Sequence, residues 1–455
     1  MNQEQIIVAL ASAPMQSAIH LIRISGKGCI SLVNKFFKGK NLEKTNPNQQ
    51  LYGHIVNQEG KTIDEVMLCC FHAPKSYTKE EMVEISCHGS VYIAQKIMHL
   101  LCENGARPAA AGEFTQRAYL NGRFDLAQAE AVADLIGAET EEAIKLAMYQ
   151  LKGGISNKID LLRTDILNFL SLLELELDFA EEDVEFANRQ QLEDTITQTI
   201  HHVTQLIGSF KTGNAVKNGI PLVIAGKPNA GKSTLLNHLL NEERAIVSDI
   251  PGTTRDTIEE RFYFSGLQFN LIDTAGIRQN TDSSIEQIGI ERTLQKLEIA
   301  EIIFYMFDML DITDIEKQVS EIKQCNKKVF WIVNKSDKQT NTPEWEALAK
   351  KEKIDLLYVS AAHHHTEALT QSLQEYIHRE YLGRDYAITN QRHLHALQQT
   401  KESLSKGMEA LQNGFSGEIV VFELKQAVEN LGSITGKISN DEVLGNIFSK
   451  FCIGK

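Results

Sequence analysis

No apolar run in this 455-residue chain approaches the ~18 to 20 residues of a membrane-crossing helix, so no spanning segment is expected. The first residues, MNQEQIIVALASAP, lack a basic region and a long apolar stretch, and read as a first strand, not a secretory leader. Seven cysteines (Cys29, Cys69, Cys70, Cys87, Cys102, Cys325, Cys452) are scattered, odd in number and free of any CxxC pair. That argues against a disulfide framework or a zinc site and for reduced thiols in a cytoplasmic protein. Positive charge is also scarce: 46 Lys and Arg stand against 60 Asp and Glu, a formal net charge of −14. Indiscriminate nucleic-acid binding is thereby disfavoured, and any such contact falls to a local basic patch or a partner. The remainder, 23% charged and 42% hydrophobic, is ordinary for a globular protein whose length suits two to four domains.

The stretch that organises the chain is IPLVIAGKPNAGKSTLLN, residues 220–237. An apolar, β-branched run leads into Gly226-Lys227-Pro228-Asn229-Ala230-Gly231-Lys232-Ser233, followed by a helix-like run from Thr234. Strand, GxxxxGK[ST] loop and helix start together predict a phosphate cradle, where a fortuitous glycine turn would lack such flanks. Backbone N–H groups wrap the anion, Lys232 reaches the β- and γ-phosphates, and the Ser233 hydroxyl is suited to Mg²⁺. Downstream, a short strand ends in Asp273-Thr274-Ala275-Gly276, where the carboxylate can hold Mg²⁺ through water and the Gly276 amide can sense a γ-phosphate. Another runs into Asn334-Lys335-Ser336-Asp337, whose aspartate accepts from two guanine N–H groups that adenine cannot both supply, while the Lys335 stem covers the base. Ser360-Ala361-Ala362 adds a backbone contact to the base oxygen. The set resembles translation-factor-like P-loop GTPases, so the expected nucleotide is GTP.

Around this module the periodicity changes. Residues 1–121 alternate strand and helix signals, an α+β domain in which Arg23 and Glu84 interrupt apolar strands and Arg123 follows an Asn-Gly turn. On periodicity alone those charges face solvent. Residues 122–215 are helical, residues 216–380 form the α/β P-loop GTPase domain, and residues 381–455 return to helix. The GTPase is thus expected to be inserted into one helical domain, where its switch movements would reach both junctions. The acidic cluster Glu181-Glu182-Asp183-Val184-Glu185 reads as a solvated loop or face, and His363-His364-His365 as an exposed loop without partners at metal-ligand spacing.

Hydrolysis needs a water-orienting acceptor and positive charge at the transferring phosphoryl group. Ile277 follows DTAG where many small GTPases have glutamine, so the acceptor must come from elsewhere. Glu286 is the better candidate than Glu291, which sits deeper in a helix pattern. Asn229 offers an amide oxygen beside the phosphates. The loop Ser248-Asp249-Ile250-Pro251-Gly252-Thr253-Thr254 offers carbonyls, a neutral ring suited to a monovalent cation, with Thr254 adding a hydroxyl to Mg²⁺.

Over nearly its whole length the chain resembles the bacterial tRNA-modification GTPases of the MnmE (TrmE) family. The resemblance rests on LIRISG, AGEFT (Ala111–Thr115), LAQAEAVADLI, GKPNAGKST, PGTTRD, DTAGIR, IGIER, NKSD and the closing Phe451-Cys452-Ile453-Gly454-Lys455. It implies a homodimer through a folate-binding-type N-terminal domain and potassium-dependent pairing of the GTPase domains. It implies K⁺ contacts at Asn229, Ser248, Ile250 and Thr253, and a water-orienting role for Glu286. Contacts to a 5-formyl- or methylene-tetrahydrofolate fall on Arg23, Glu84, Arg123 and Lys455, which displaces the solvent-facing reading of those charges. It further implies an FAD-dependent partner, MnmG (GidA), in a heterotetramer that adds an aminomethyl-type group to C5 of the tRNA wobble uridine, with tRNA held largely through the complex. Cys452 fits a prenylation box poorly; a catalytic thiol and a packed structural cysteine both remain open for it. The alternative function is a ribosome-assembly or signalling switch without one-carbon chemistry, which would leave the N-terminal domain and the FCIGK tail without a role.

Overall fold

The computed structural model describes residues 5–178, 188–242, 260–272, 297–338, 342–381, 387–438 and 441–455. Its contacts gather into two compact units: Met1–Gly137 with Ala147–Thr204 and His395–Lys455, and Ala138–Leu146 with Gln205–Leu394. Among the described residues no helix is long and apolar enough to cross a membrane.

The first unit is built on a seven-stranded sheet in the order Phe37–Lys38, Gln50–Val56, Thr62–Phe71, Met82–His88, Ile19–Ser25, Ile6–Leu10, Ala106–Pro108. Neighbours are antiparallel except the last pair, Ile6–Leu10 with Ala106–Pro108. Period-two alternation decides the faces. In Ile19–Ser25, Ile22 and Ile24 enter a core with Val83, Ile85, Leu68 and the helix Val91–Glu103, which contributes Ala94, Ile97, Leu100 and Leu101. Each such Ile, Leu or Val side chain, once buried, contributes about 1.5–3 kcal/mol. Arg23 and Glu84 therefore lie on the opposite face, and the antiparallel register sets them directly across from one another.

Helices complete this unit. Leu126–Ile136 begins with a reciprocal cap, Asp125 accepting from the Gln128 N–H while the Gln128 side chain accepts from the Asp125 N–H. The long helix Gly154–Asp178 buries Ile155, Ile159, Leu162, Ile166, Leu170 and Leu173 at three- and four-residue steps, and packs against Gly417–Thr435. The chain then returns to the sheet. After Asp441–Phe448, Phe448 and Phe451 pack with Leu126 and Ala129, and Ile453 bridges Ala111. Gly454 takes φ +96, where a Cβ would stand 2.6 Å from the Leu10 carbonyl oxygen. Only glycine fits that approach.

The second unit has a six-stranded sheet in the order Leu356–Tyr358, Lys328–Asn334, Ile302–Asp308, Ile220–Gly226, Leu267–Leu271, Glu260–Phe264, parallel throughout except at Glu260–Phe264. Its strands Ile220–Gly226, Ile302–Asp308 and Lys328–Asn334 are apolar on both faces, as a helix-covered parallel sheet requires. Ile302, Phe304 and Met306 join Leu369, Leu373 and Tyr376 on one side, while Ile303, Tyr305 and Phe307 join Val319, Trp331 and Trp345 on the other. Ala143 packs into the first of these cores, and Glu139 accepts from the Tyr263 hydroxyl at 2.8 Å.

Candidate functional site

In the second unit the central strand Ile220–Gly226 runs into the phosphate loop, and helix Lys232–Glu242 starts at its far end. This is the C-terminal edge of a parallel sheet, where α/β folds bind ligands. Close backbone approach dictates the glycines: a Cβ on Gly226 (φ +138) would meet the Met306 carbonyl oxygen at 2.1 Å, and one on Gly231 (φ +95) would meet Asn334 Nδ2 at 2.1 Å. Asn229 also takes a left-handed conformation, φ 64, and is exposed, as is Thr234, while Ala230 is buried. Lys232 Nζ donates to the Gly226 and Lys227 carbonyl oxygens at 2.8 and 2.7 Å, and burial lowers its pKa. Ser233 occupies the first turn of the helix, with Lys232 beside the N–H groups that a helix start leaves for an anion.

The NKSD turn is tied to that loop. Asn334, 3% exposed, donates from Nδ2 to the Ala230 carbonyl at 2.8 Å and accepts at Oδ1 from the Ala361 N–H at 3.0 Å. Its amide thus joins phosphate loop to Ser360-Ala361-Ala362. Lys335, at φ 65, pairs with Asp308 at the end of the neighbouring strand. Asp337 accepts from the Ser360 hydroxyl at 2.6 Å, and that bond holds its carboxyl below the usual range. His363, His364 and His365 are exposed; His364 Nδ1 meets His238 Nδ1 at 2.6 Å, and no metal-binding cluster occurs among the described residues.

The first unit brings the other four sequence-selected residues together from segments far apart. Arg23 Nε donates to Glu84 Oε1 at 2.9 Å, and Arg23 Nη1 donates to the Gly454 carbonyl at 3.1 Å. Burial and the nearby Arg23 charge lower the Lys455 pKa. Arg123 donates to the Ser76 carbonyl at 2.9 Å. Two of the four share a residue that sequence reasoning missed: the Arg23 and Arg123 guanidinium carbons lie 5.2 and 4.9 Å from the centroid of the Tyr77 ring. Tyr77 sits in an irregular stretch with no period to mark it. Cys452 is exposed, and its carbonyl accepts from the Gly112 N–H at 3.3 Å.

Ser248, Asp249, Ile250, Pro251, Gly252, Thr253, Thr254, Asp273, Thr274, Ala275, Gly276 and Glu286 lie outside the described residues, as does the acidic cluster at 181–185.

A parallel sheet whose central strand ends in a glycine-bound phosphate loop, with the NKSD and Ser360-Ala361 turns beside it, defines a P-loop GTPase domain; this chain adds an N-terminal α+β domain and a helical domain. Residues 6–123 match the family model for the N-terminus of the GTP-binding protein TrmE, and residues 126–452 match the MnmE helical domain. Proteins described as tRNA modification GTPase MnmE from Flavobacterium johnsoniae, Christiangramia forsetii and Bacteroides thetaiotaomicron are 46%, 45% and 45% identical, each alignment covering 100% of this chain and 100% of the relative. The chain belongs to the MnmE family of tRNA modification GTPases.

Proposed function

We propose that this chain, a GTP hydrolase of tRNA modification by its family, is potassium-stimulated and forms the folate-binding half of a wobble-uridine modification complex in the cytoplasm. As a homodimer, and in a heterotetramer with the FAD-dependent partner MnmG, it would add an aminomethyl or carboxymethylaminomethyl group to C5 of the wobble uridine of certain tRNAs. The observation that carries this reading is the convergence of Arg23 with Glu84 and Lys455, and of Arg23 with Arg123 over one aromatic ring. Three cations against one carboxylate suit an anionic, ring-bearing ligand such as a folate. A ribosome-assembly or signalling switch leaves that cluster and the FCIGK tail without a role, and the full-length match to tRNA modification GTPases speaks against it.

In the GTPase domain, Lys232 and the N–H groups of the loop and helix start would bind the phosphates, with Ala230, Gly231 and Thr234 lining the approach. Ser233 and Thr254 would hold Mg²⁺; Asn229, Ser248, Ile250 and Thr253 would hold K⁺. The glycine cradle and the exposed Asn229 amide fit such a site. These cations supply positive charge against the phosphates and the transferring phosphoryl group. Glu286 would orient the attacking water, Asp273 would hold Mg²⁺ through water, Gly276 would sense the γ-phosphate, and Asn334, Lys335, Asp337, Ser360 and Ala361 would bind and frame the base. In the N-terminal site the folate supplies the one-carbon unit, and this chain's cations orient it. The net charge of −14 fits a division of labour in which the partner carries much of the tRNA affinity.

Two outcomes test the reading. Asp337→Asn replaces one of the paired acceptors by a donor, so GTP affinity is expected to fall by on the order of 100-fold or more while xanthosine triphosphate binding improves. Competition titration of the two nucleotides decides it, and unchanged guanine preference would remove Asp337 from base recognition. At the level of the cell, tRNA nucleosides would be measured by mass spectrometry after deletion of the chain and rescue with wild type, Arg23→Ala or Glu286→Ala. The C5-substituted wobble uridine is expected to vanish on deletion and to return only with wild type; its persistence without the chain would refute the proposed function.

A further inference from the structure

We infer that Tyr77 is a positioning residue of the N-terminal site, its ring holding the guanidinium groups of Arg23 and Arg123 close together so that both serve one anionic ligand. The inference rests on the folate reading above and adds to it a residue outside the ligand-binding set.

Two guanidinium groups repel, and the local carboxylate neutralises one of them. Glu84 pairs with Arg23, whereas Arg123 is exposed and, among the described residues, meets the Ser76 carbonyl and aromatic faces but no carboxylate. Both cations lie over Tyr77, at 5.2 and 4.9 Å; Arg123 is also 4.9 Å from the Phe124 centroid. A ring face attracts a cation through its quadrupole, an effect worth about two- to thirtyfold in a binding equilibrium per contact, depending on desolvation. One ring thus offsets part of the repulsion that would drive the two arginines apart.

The ring itself is held firmly. Tyr77 Oη is 2.8 Å from Oγ1 of the fully buried Thr115, and the ring stands edge-on to Phe124 at 6.1 Å between centroids. On the loop that carries it, Thr78 Oγ1 is 2.6 Å from Ser25 Oγ, and Glu80 pairs with Arg117 at 3.1 Å. That loop also fixes the turn bearing Arg123: the Thr78 carbonyl accepts from Asn121 Nδ2 at 2.7 Å, and Lys79 Nζ donates to the Gly122 carbonyl at 2.8 Å. Arg23 comes from the sheet, Arg123 from a turn between helices, and Tyr77 lies where they converge. Side chains supported in this way are pre-organised, so the ligand need not order them.

The experiment titrates 5-formyltetrahydrofolate into full-length wild type, Tyr77→Phe, Tyr77→Leu, Arg123→Ala and the Tyr77→Leu/Arg123→Ala double variant, with melting temperature as a folding control. Tyr77→Phe keeps the ring and is expected to bind within about threefold of wild type, whereas Tyr77→Leu should weaken binding by about tenfold or more. In the Arg123→Ala background the effect of Tyr77→Leu should shrink, because part of what Tyr77 does passes through Arg123. Wild-type affinity in Tyr77→Leu, equal loss in both Tyr77 variants, or full additivity with Arg123→Ala would each overturn the inference. If Tyr77→Leu does not fold, Tyr77→Met takes its place in every comparison. A second readout needs no folate: phenylglyoxal modification of Arg23 and Arg123, followed by peptide mass spectrometry. Faster modification in Tyr77→Leu than in wild type and Tyr77→Phe is expected, and an unchanged rate overturns the inference. Failure of wild type to bind the folate would refute the functional reading alone, since the modification rates still decide on Tyr77.

Discussion

Replacing Asn334 by alanine is expected to destabilise the GTPase domain by about 2–6 kcal/mol and to lower GTP affinity by about 100-fold or more. The sequence places this asparagine at the head of a base-recognition motif, yet its side chain spends both hydrogen-bonding ends on backbone: Nδ2 on the Ala230 carbonyl and Oδ1 on the Ala361 N–H. Both partners belong to buried residues, so truncation leaves a donor and an acceptor unsatisfied, each costing about 1–3 kcal/mol. The amide also explains Gly231, whose Cβ would collide with Asn334 Nδ2. Phosphate loop and base loop would lose their common tie, and a nucleotide that bridges them would have to restore the geometry from its own binding energy. Urea denaturation and titration with a fluorescent GTP analogue measure the two effects. Asn334→Asp is a sharper test of the donor, because it keeps an acceptor for the Ala361 N–H but sets a carboxylate against the Ala230 carbonyl. If either variant bound GTP and unfolded like wild type, the amide would be a passenger.

The contrast between the two sites shows what a sequence makes legible. The phosphate loop could be read because its chemistry is contiguous: strand, glycines, Lys232 and helix start occupy residues 220–237, and the positive φ angles at Gly226 and Gly231 fall on the glycines of that stretch. Strand periodicity set Arg23 and Glu84 away from the Ile22 and Ile24 core, but its expectation that they face solvent fails, since their side chains are only 11% and 22% exposed. What it left out was the company on that face. Gly454 lies 431 positions from Arg23, and no local pattern announces that the tail folds back onto the strand. The family resemblance supplied Arg23, Glu84, Arg123 and Lys455 as a set, but not Tyr77, which has neither charge nor period to single it out. Periodicity is equally silent about which sheet an amphipathic helix covers. Helix Glu141–Leu151 reads as part of the helical region, yet its Ala143 packs in the core of the GTPase sheet. For Ser248–Thr254, Asp273–Gly276 and Glu286 the sequence remains the source of the reading.

The second large effect is expected beneath the N-terminal site, where Glu113→Gln should cost about 3–5 kcal/mol of stability at pH 7. Glu113 is 2% exposed and accepts from Arg107 Nη1 and Nη2 at 2.8 and 2.5 Å, from the Ala110 N–H at 2.9 Å and from the buried Arg117 at 3.1 Å. Glutamine keeps the shape but removes the charge and turns one acceptor into a donor facing guanidinium donors. Arg117 would retain Glu80 and the Gln5 carbonyl, while Arg107 would lose its charged partner in this network. The pH dependence follows from the direction of the carboxyl shift. Burial alone would raise the Glu113 pKa, but the Arg107 bonds, the Ala110 N–H and Arg117 outweigh it and hold the group below its usual value. A carboxyl depressed by folding contributes stability that is fully present above the unfolded pKa and is lost as pH falls through the folded one. The gap between wild type and Glu113→Gln should therefore be constant from pH 7 to about pH 5 and narrow only below about pH 4, in the carboxylate range and beneath it. Urea midpoints for both proteins across that interval give the gap directly. A gap independent of pH down to the acid limit would mean that packing, not the carboxylate charge, sets the cost. A gap that widened on acidification would reverse the sign of the shift. Narrowing in the stated window would show that the charge of the Glu113 carboxylate, paired with Arg107 and Arg117, contributes to the cost.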